Sequence, residues 1–338
     1  MTGATRILVT GASGCIGAAT VRTLLDRGAD AVVAASASGA PGALHLWGDA
    51  AADRRVRLVR VDVGDAASTE ALVLATEPTA IVHLAALQSP ACDADPEAGL
   101  RVDVGGTLHV LRAAERSPGV RRLVFASSAA VYGVRSRYPG ATVRESDPLL
   151  PPNLYGVWKL ASEQLARQFA ERTGIPTVCL RLNTTYGKGR DRGRTAAPTA
   201  ALQAIALGAV QGRTRPFRMP YHGREHYHFV EDVAAHFAEC TLAPFDGFGV
   251  FNLRGETVEV REFLARARRA AEAIGLGAHA DLGVAPDAEP NPFVCDLDDR
   301  AVRARFPGVP CTPLEEGIER TLAAFLELAR AGRLADPG

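Results

Sequence analysis

Tyr155 and Lys159 stand four residues apart, and that spacing can do proton chemistry. Residues i and i+4 share one face of a helix, so a helix through Leu154–Thr173 would point a phenol and an ammonium the same way. A cation beside a phenol favours the phenolate and lowers its pKa from a reference of about 10 towards operating pH. Such a tyrosine can take a proton from an alcohol or return one to a carbonyl. The identity of the cation also matters. Of 38 basic residues only Lys159 and Lys188 are lysine, so a chain that writes nearly every cation as Arg has kept an ammonium here. A compact ammonium can act on a phenol and hydrogen-bond the hydroxyls of a cofactor ribose at once, which a planar guanidinium does poorly.

A second group of residues can hold an anion. Arg6-Ile7-Leu8-Val9-Thr10 reads as a buried strand and runs into Gly11-Ala12-Ser13-Gly14-Cys15-Ile16-Gly17, then into a periodic apolar stretch with Val21, Leu24 and Leu25. Strand, glycine turn and helix stand in the order that a dinucleotide site requires. The glycines permit a tight turn and close approach of backbone to a pyrophosphate, and the helix N-terminus supplies free N–H groups.

These groups need a scaffold, and the chain alternates strand and helix patterns throughout its first half. Strands are expected near Arg6–Thr10, Ala31–Ala35, Val56–Val61, Ala80–Leu84, Arg121–Ala126 and Thr177–Leu182, with amphipathic segments between them. That alternation predicts a doubly wound parallel sheet of the Rossmann type, covered on both faces. Ser36–Asp53 is rich in Ala and Gly and reads as a surface loop beside the adenosine, and Gly275–Pro292 reads as irregular. The texture changes to Gly, Pro, Arg and His after Asn183. The expected division is a dinucleotide-binding domain at 1–182 with a return segment at 229–256. A smaller substrate-binding cap takes 183–228 and 257–338.

With these motifs in hand the chain resembles the extended short-chain dehydrogenase/reductase family, the NAD-dependent epimerase/dehydratases similar to UDP-galactose 4-epimerase. Val61-Asp62-Val63 resembles the segment that contacts adenine, and His83-Leu84-Ala85-Ala86 resembles a strand end passing along the cofactor. Val124–Gly133 resembles the stretch in which the Ser before Ala-x-Val-Tyr-Gly is catalytic, here Ser128. Leu180–Gly187 resembles the lead into the substrate region, and His226–Val233 a strand-to-helix return ending in Asp-Val. The resemblance implies Ser128, Tyr155 and Lys159 as catalytic residues. It implies contacts to NAD, with NADP left open, from Gly11, Ser13, Gly14, Cys15, Ile16, Gly17, Ser36, Asp62, Val63, Leu84, Ala85, Ala86, Tyr155, Lys159 and Leu182. Substrate contacts are expected from Gln88, Ser128, Asn183 and Thr184. A homodimer through the helices near Pro96–Glu115 and Leu154–Thr173 is implied as well.

Departures from the family pattern shape the expected substrate. Asp103 stands where the family usually has Asn, which replaces a donor–acceptor amide with an acceptor-only carboxylate. Ala129 and Ala130 follow Ser128 where 4,6-dehydratases have Asp-Glu, which disfavours dehydration. No acid closes Ala31–Ser36 to hold a ribose 2′-hydroxyl, and the next arginine along the chain is Arg54. Glu289-Pro290-Asn291-Pro292 stands where sugar-nucleotide enzymes often place an Arg before the segment matching Cys295-Asp296-Leu297. The cationic run Lys188–Arg194 offers an alternative, with Arg190 and Arg192 able to meet a carboxylate or phosphate.

The expected activity is hydride transfer at a secondary hydroxyl of a sugar or sugar nucleotide, as an epimerase or a net dehydrogenase of a free sugar, sugar acid or polyol. A non-catalytic nucleotide sensor is the reading from another class. Formal net charge is zero, with 38 acidic and 38 basic residues, which argues against a nucleic-acid partner. Six scattered cysteines without a Cys-x-x-Cys pair suit free thiols, no apolar run suits a membrane, and a cytoplasmic enzyme is expected. His222, His226 and His228 lack the further ligands of a zinc site, and no metal is expected.

Overall fold

A computed structural model describes residues 4–291 and 293–336. Seven parallel strands form the central sheet, in the order β10-β6-β5-β4-β1-β2-β3. They are β1 Arg6–Thr10, β2 Ala31–Ser36, β3 Val56–Arg60, β4 Ala80–His83, β5 Leu123–Ser128, β6 Thr177–Leu182 and β10 Phe248–Asn252. Strands covered on both faces have no polar side to show, and β1 and β6 accordingly read as near-continuous apolar runs. One apolar cluster, with Ile7, Val9, Val124 and Leu180, packs under the helix Cys15–Asp26 and continues towards the C-terminal elements. The other, with Leu8, Ile81, Phe125 and Phe169, packs under the opposite helices. A fully buried Phe such as Phe125 contributes about 2–3 kcal/mol by leaving water.

The remaining strands make two small sheets at the C-terminal edge of the large one. β7 Thr184–Tyr186, β9 Arg224–Phe229 and β11 Glu256–Glu259 form one, and β8 Phe217–His222 with β12 Leu282–Pro290 form the other. β12 corrects the irregular stretch expected from the sequence. Its prolines and glycine hide a strand that pairs in parallel with β8, with the register shifting between Val284 and Glu289. Pro292 lies outside the described residues.

Three local features position the functional groups. The helix Leu154–Thr173 falls where the Tyr155–Lys159 spacing places it; Asn153 accepts from the Gly156 N–H at 2.9 Å at its start and Gly174, at φ +72°, ends it. The expected helix near Pro96–Glu115 is instead Pro96–Gly99, a π-helical turn Leu100–Gly105 and Gly106–Arg116. Ser36–Asp53 is not merely a surface loop. A 3-10 turn at Gly42–Leu46 buries Leu44, Trp47 follows it into the core, and Ala43 N–H donates to Ser13 O at 2.8 Å.

Candidate active site

The glycine turn is held open by backbone. Gly11 has φ +69°, and a Cβ there would lie 2.7 Å from Ala85 N. A Cβ on Gly17 would strike Gly11 O and sit 2.7 Å from Ala12 Cα. Gly14 caps the helix Cys15–Asp26 with extended backbone and no side-chain acceptor, so the first-turn N–H groups are not taken by a cap. Those features fit a pyrophosphate. Thr10 Oγ1 accepts from Leu84 and Ala85 N–H at 3.2 and 3.3 Å and lies 2.7 Å from His83 Nδ1, fastening the His83–Ala86 segment beside the turn. Gly17→Ala is therefore expected to weaken NAD binding about tenfold or more and to lower the thermal midpoint. Equilibrium titration with unchanged NAD affinity would separate this turn from the cofactor.

The residues expected at the adenosine end are neutral groups and one ion pair. Ser36 Oγ accepts from Gly39 N–H at 3.1 Å and lies 3.4 Å from Ser38 Oγ. Parallel pairing sets Arg60 opposite Ser36, a cation that counting along the chain to Arg54 missed. Asp62 accepts from Gly64 N–H at 2.8 Å and from Arg101 at 2.7 Å, while Val63 packs against Gly106. That exposed pairing holds the Asp62 carboxyl below its usual range.

Ser128, Tyr155 and Lys159 come together at the C-terminal ends of β5 and β6. Ser128 Oγ donates to Leu182 O at 3.4 Å and acts on the Tyr155 phenol, favouring its ionised form. Lys159 is 3% exposed, donates from Nζ to Ala126 O at 2.8 Å, and stands 4.9 Å from the Phe125 ring centre and 5.6 Å from that of Tyr155. One protein acceptor for three N–H donors leaves donors free for the expected contact to ribose hydroxyls.

The electrostatics differ from the expected simple depression of the Tyr155 pKa. Burial pushes the phenol above its usual value, the Asp103 charge adds to that, and Ser128 and Arg190 oppose it. Burial also pulls Lys159 down, with Asp103 opposing. Helix spacing brought the pair together, but it carried no information about burial or about Asp103.

The other expected contacts divide. Arg190 donates to Gln88 Oε1 at 3.1 Å and to Thr195 Oγ1 at 2.5 Å, and its Nε is buried without a protein partner. Its charge acts on both Tyr155 and Cys15, lowering each. Arg192 is exposed. The cationic run does not converge: Lys188 lies 3.9 Å over the Trp47 ring and 3.7 Å from Glu231, and Arg194 lies 3.5 Å from Glu289. Asn183 donates to Val294 O at 2.6 Å, and the buried Thr184 donates to Glu225 Oε1 at 2.5 Å. Cys15 Sγ donates to Lys188 O at 3.4 Å, and burial pushes that thiol up to about 12.

Sequence reading missed several groups. Glu163, one turn beyond Lys159, receives Arg181 in a bidentate pair at 2.9 and 2.8 Å and Ser127 Oγ at 2.5 Å. A lone Arg inside the apolar run of β6 was the available signal. Glu225 is buried among Thr184, Tyr221 and Tyr227, and burial pushes its carboxyl up to about 7. Arg224 donates to Asp296 Oδ1 at 2.5 Å and Arg135 to Oδ2 at 3.1 Å, so cations do reach the segment where none stood in sequence. His226 and His228 are core residues, held neutral by burial, with His226 Nδ1 2.8 Å from Thr257 Oγ1 and His228 Nδ1 2.7 Å from Arg254 O. Among the described residues no group of three or more His, Cys, Asp or Glu could hold a metal ion.

Known proteins resemble this chain in sequence and fold. The model of the NAD dependent epimerase/dehydratase family matches residues 7–253. The UDP-glucose 4-epimerase of Azospirillum brasilense is 33% identical over 221 residues, covering 62% of this chain and 58% of that enzyme. The one from Halalkalibacterium halodurans is 30% identical over 278 residues, covering 78% of this chain and 79% of its own. The UDP-glucose 4-epimerase of Thermus thermophilus, solved in complex with NAD, superposes with a TM-score of 0.74 at 26% identity, over 95% of this chain and 99% of that one. A matched segment that runs from β1 to the end of β10 takes in the glycine turn, Ser128, Tyr155 and Lys159 together, and the chain belongs to the NAD-dependent epimerase/dehydratase family.

Proposed function

We propose that this protein is an NAD-dependent epimerase or oxidoreductase that acts by hydride transfer at a secondary hydroxyl of a sugar or sugar nucleotide. The observation that carries the reading is the meeting of Ser128, Tyr155 and Lys159 at the strand ends beside the glycine turn. Tyr155 takes the hydroxyl proton, Ser128 hydrogen-bonds the reacting oxygen, and Lys159 offers its free donors to the ribose. NAD, when bound, supplies the acceptor and donor of hydride that no side chain can. Strand ends of an open parallel sheet are where such folds bind ligands, and the elements at 183–228 and 257–338 complete the substrate side. The matched relatives that act on UDP-glucose support a nucleotide-linked substrate.

A second reading, net dehydrogenation of a free sugar or sugar acid, is favoured by Arg224 being tied to Asp296 while the buried Nε of Arg190 has no protein partner. On either reading Arg190 meets the anionic part of the substrate. Arg190→Ala is expected to raise KM about tenfold with a smaller loss of kcat, since losing its charge also disfavours the Tyr155 phenolate. An unchanged KM would remove it from the substrate side.

All six cysteines are free, and among the described residues no helix is long and apolar enough to cross a membrane, which supports the cytoplasmic reading. Leu100 and Val157, 46% and 39% exposed, lie on the two segments expected to form a homodimer. Mass spectrometry of the nucleotide released from purified protein tests the activity. Retained oxidised NAD supports epimerisation, an empty site that fills reversibly supports net dehydrogenation, and a protein that binds neither NAD nor NADP contradicts both.

A further inference from the structure

The buried ammonium of Lys159 needs a counter-charge, because an unpaired ion in the interior is among the costliest arrangements a fold can hold. The charged and titratable groups whose charges act on it are Asp103, Cys92, Glu163 and Cys179, and its own charge acts on His83. Burial keeps the Cys92 thiol protonated, pushed up to about 12, drives Cys179 well above its usual value, and takes His83 down to about 3, where it is neutral. Two carboxylates remain. Glu163 is committed to Arg181 through both oxygens, with side chains 1% and 3% exposed.

Asp103 is the carboxylate left for Lys159, and the fold holds it in place. It sits in the π-helical turn Leu100–Gly105, 2% exposed, and such turns recur at functional sites. Its Oδ1 accepts from Leu87 N–H at 2.7 Å, and its Oδ2 lies 3.7 Å from the Cys92 thiol. Its backbone O accepts from Thr107 Oγ1 at 2.6 Å and from Ser162 Oγ at 3.0 Å. Ser162 lies three residues beyond Lys159 on the same helix face, so this bond ties the turn to the helix that carries the ammonium.

We propose that Asp103 is the counter-ion of Lys159 and a positioning residue that sets the pH at which Tyr155 exchanges its proton. The inference rests on Tyr155 and Lys159 being the proton-handling pair proposed above. The groups that act on Tyr155 are Asp103, Ser128, Arg190 and Cys92; Cys92 stays protonated, and Asp103 brings the negative charge, its carboxyl raised by burial but held down by Lys159 and by the Leu87 N–H. A carboxylate there offsets the ammonium, disfavours the phenolate and keeps Lys159 charged. An amide at this position would leave the ammonium unbalanced. Both effects of Asp103 have the same sign, so the whole pH profile lies further to the alkaline side than with Asn.

The test is Asp103→Asn, which keeps an acceptor for Leu87 N–H and removes the charge. Ultraviolet difference absorbance, referenced to Tyr155→Phe, follows the Tyr155 phenolate directly and needs no substrate. Ionisation is expected to move to lower pH in the Asn variant, while the dissociation constant for NAD changes less than about threefold. With an accepted substrate in the alcohol-oxidising direction, kcat/KM on its rising limb is expected to increase about threefold to tenfold at fixed pH, and the alkaline limb to move down with it. Asp103→Ser, neutral and smaller, reads the same shift where Asn fails to fold. Cys92→Ala disturbs the packing without removing the charge, and is expected to leave the ionisation in place. An unchanged phenolate titration in both neutral variants overturns the role of Asp103 whatever the substrate proves to be. A shifted titration in a protein that oxidises no sugar upholds it and overturns the proposed activity alone.

Discussion

Tyr155→Phe is expected to lower turnover about 100-fold or more while leaving the dissociation constant for NAD within about twofold of the wild type. The substitution removes one oxygen and keeps the ring. Lys159 loses no partner that holds it in place, since its hydrogen bond goes to Ala126 O and its charge still lies over the Phe125 ring and the retained ring at position 155. The glycine turn is untouched. What disappears is the phenol proposed to receive the substrate proton, and a loss of about 100-fold corresponds to about 2.7 kcal/mol of barrier. Steady-state kinetics with equilibrium titration of NAD checks both halves. Turnover close to wild type would remove Tyr155 from the chemistry.

The largest expected effect on stability belongs to a residue outside the reacting groups. Glu163→Ala is expected to cost about 3–5 kcal/mol, because it strands the Arg181 guanidinium, 3% exposed, in the interior without its anion. The pair does more than neutralise itself. Glu163 also accepts from Ser127, and Arg181 donates to Tyr132 OH at 2.7 Å, which in turn donates to Asn252 at 2.8 Å, so β5, β6, β10 and the helix carrying Lys159 are joined through one network. A drop of roughly 5–15 °C in the thermal midpoint would follow. Replacing both partners by apolar residues, Glu163→Leu with Arg181→Met, is expected to recover much of the loss. A single variant as stable as the wild type would show that the network is incidental.

The elements that carry the chemistry were legible where local pattern decides them. Apolar runs marked most of the strands β1 to β6, and the Tyr155–Lys159 spacing marked the helix that carries them, whose ends Asn153 and Gly174 fix in the structure. β10 was harder, since Phe248-Gly249-Val250-Phe251-Asn252 mixes glycine with aromatics and carries no alternation. β12 was hidden because its strand character comes from pairing with β8 rather than from its own Pro and Gly residues. The site divides along the same line. Tyr155 and Lys159 follow from one helix, so their spacing sufficed. Arg190 and Lys188 are two residues apart and separate widely, because Trp47 and Glu231 claim one while Gln88 and Thr195 claim the other. Asp103 showed in sequence only as a substitution for Asn, and its weight comes from burial against a helix about 60 residues away, which no local pattern encodes.

The most direct measurement follows absorbance at about 340 nm in a single turnover, after NAD-loaded protein is mixed with nucleotide sugars, free hexoses and sugar acids carrying protium or deuterium at the oxidised carbon. The predicted result is a rise in reduced cofactor with at least one of them, slower with deuterium and lost in Tyr155→Phe. A sugar converted at full rate by the Tyr155→Phe protein, or converted with neither reduced cofactor nor an isotope effect, would contradict hydride transfer at this site.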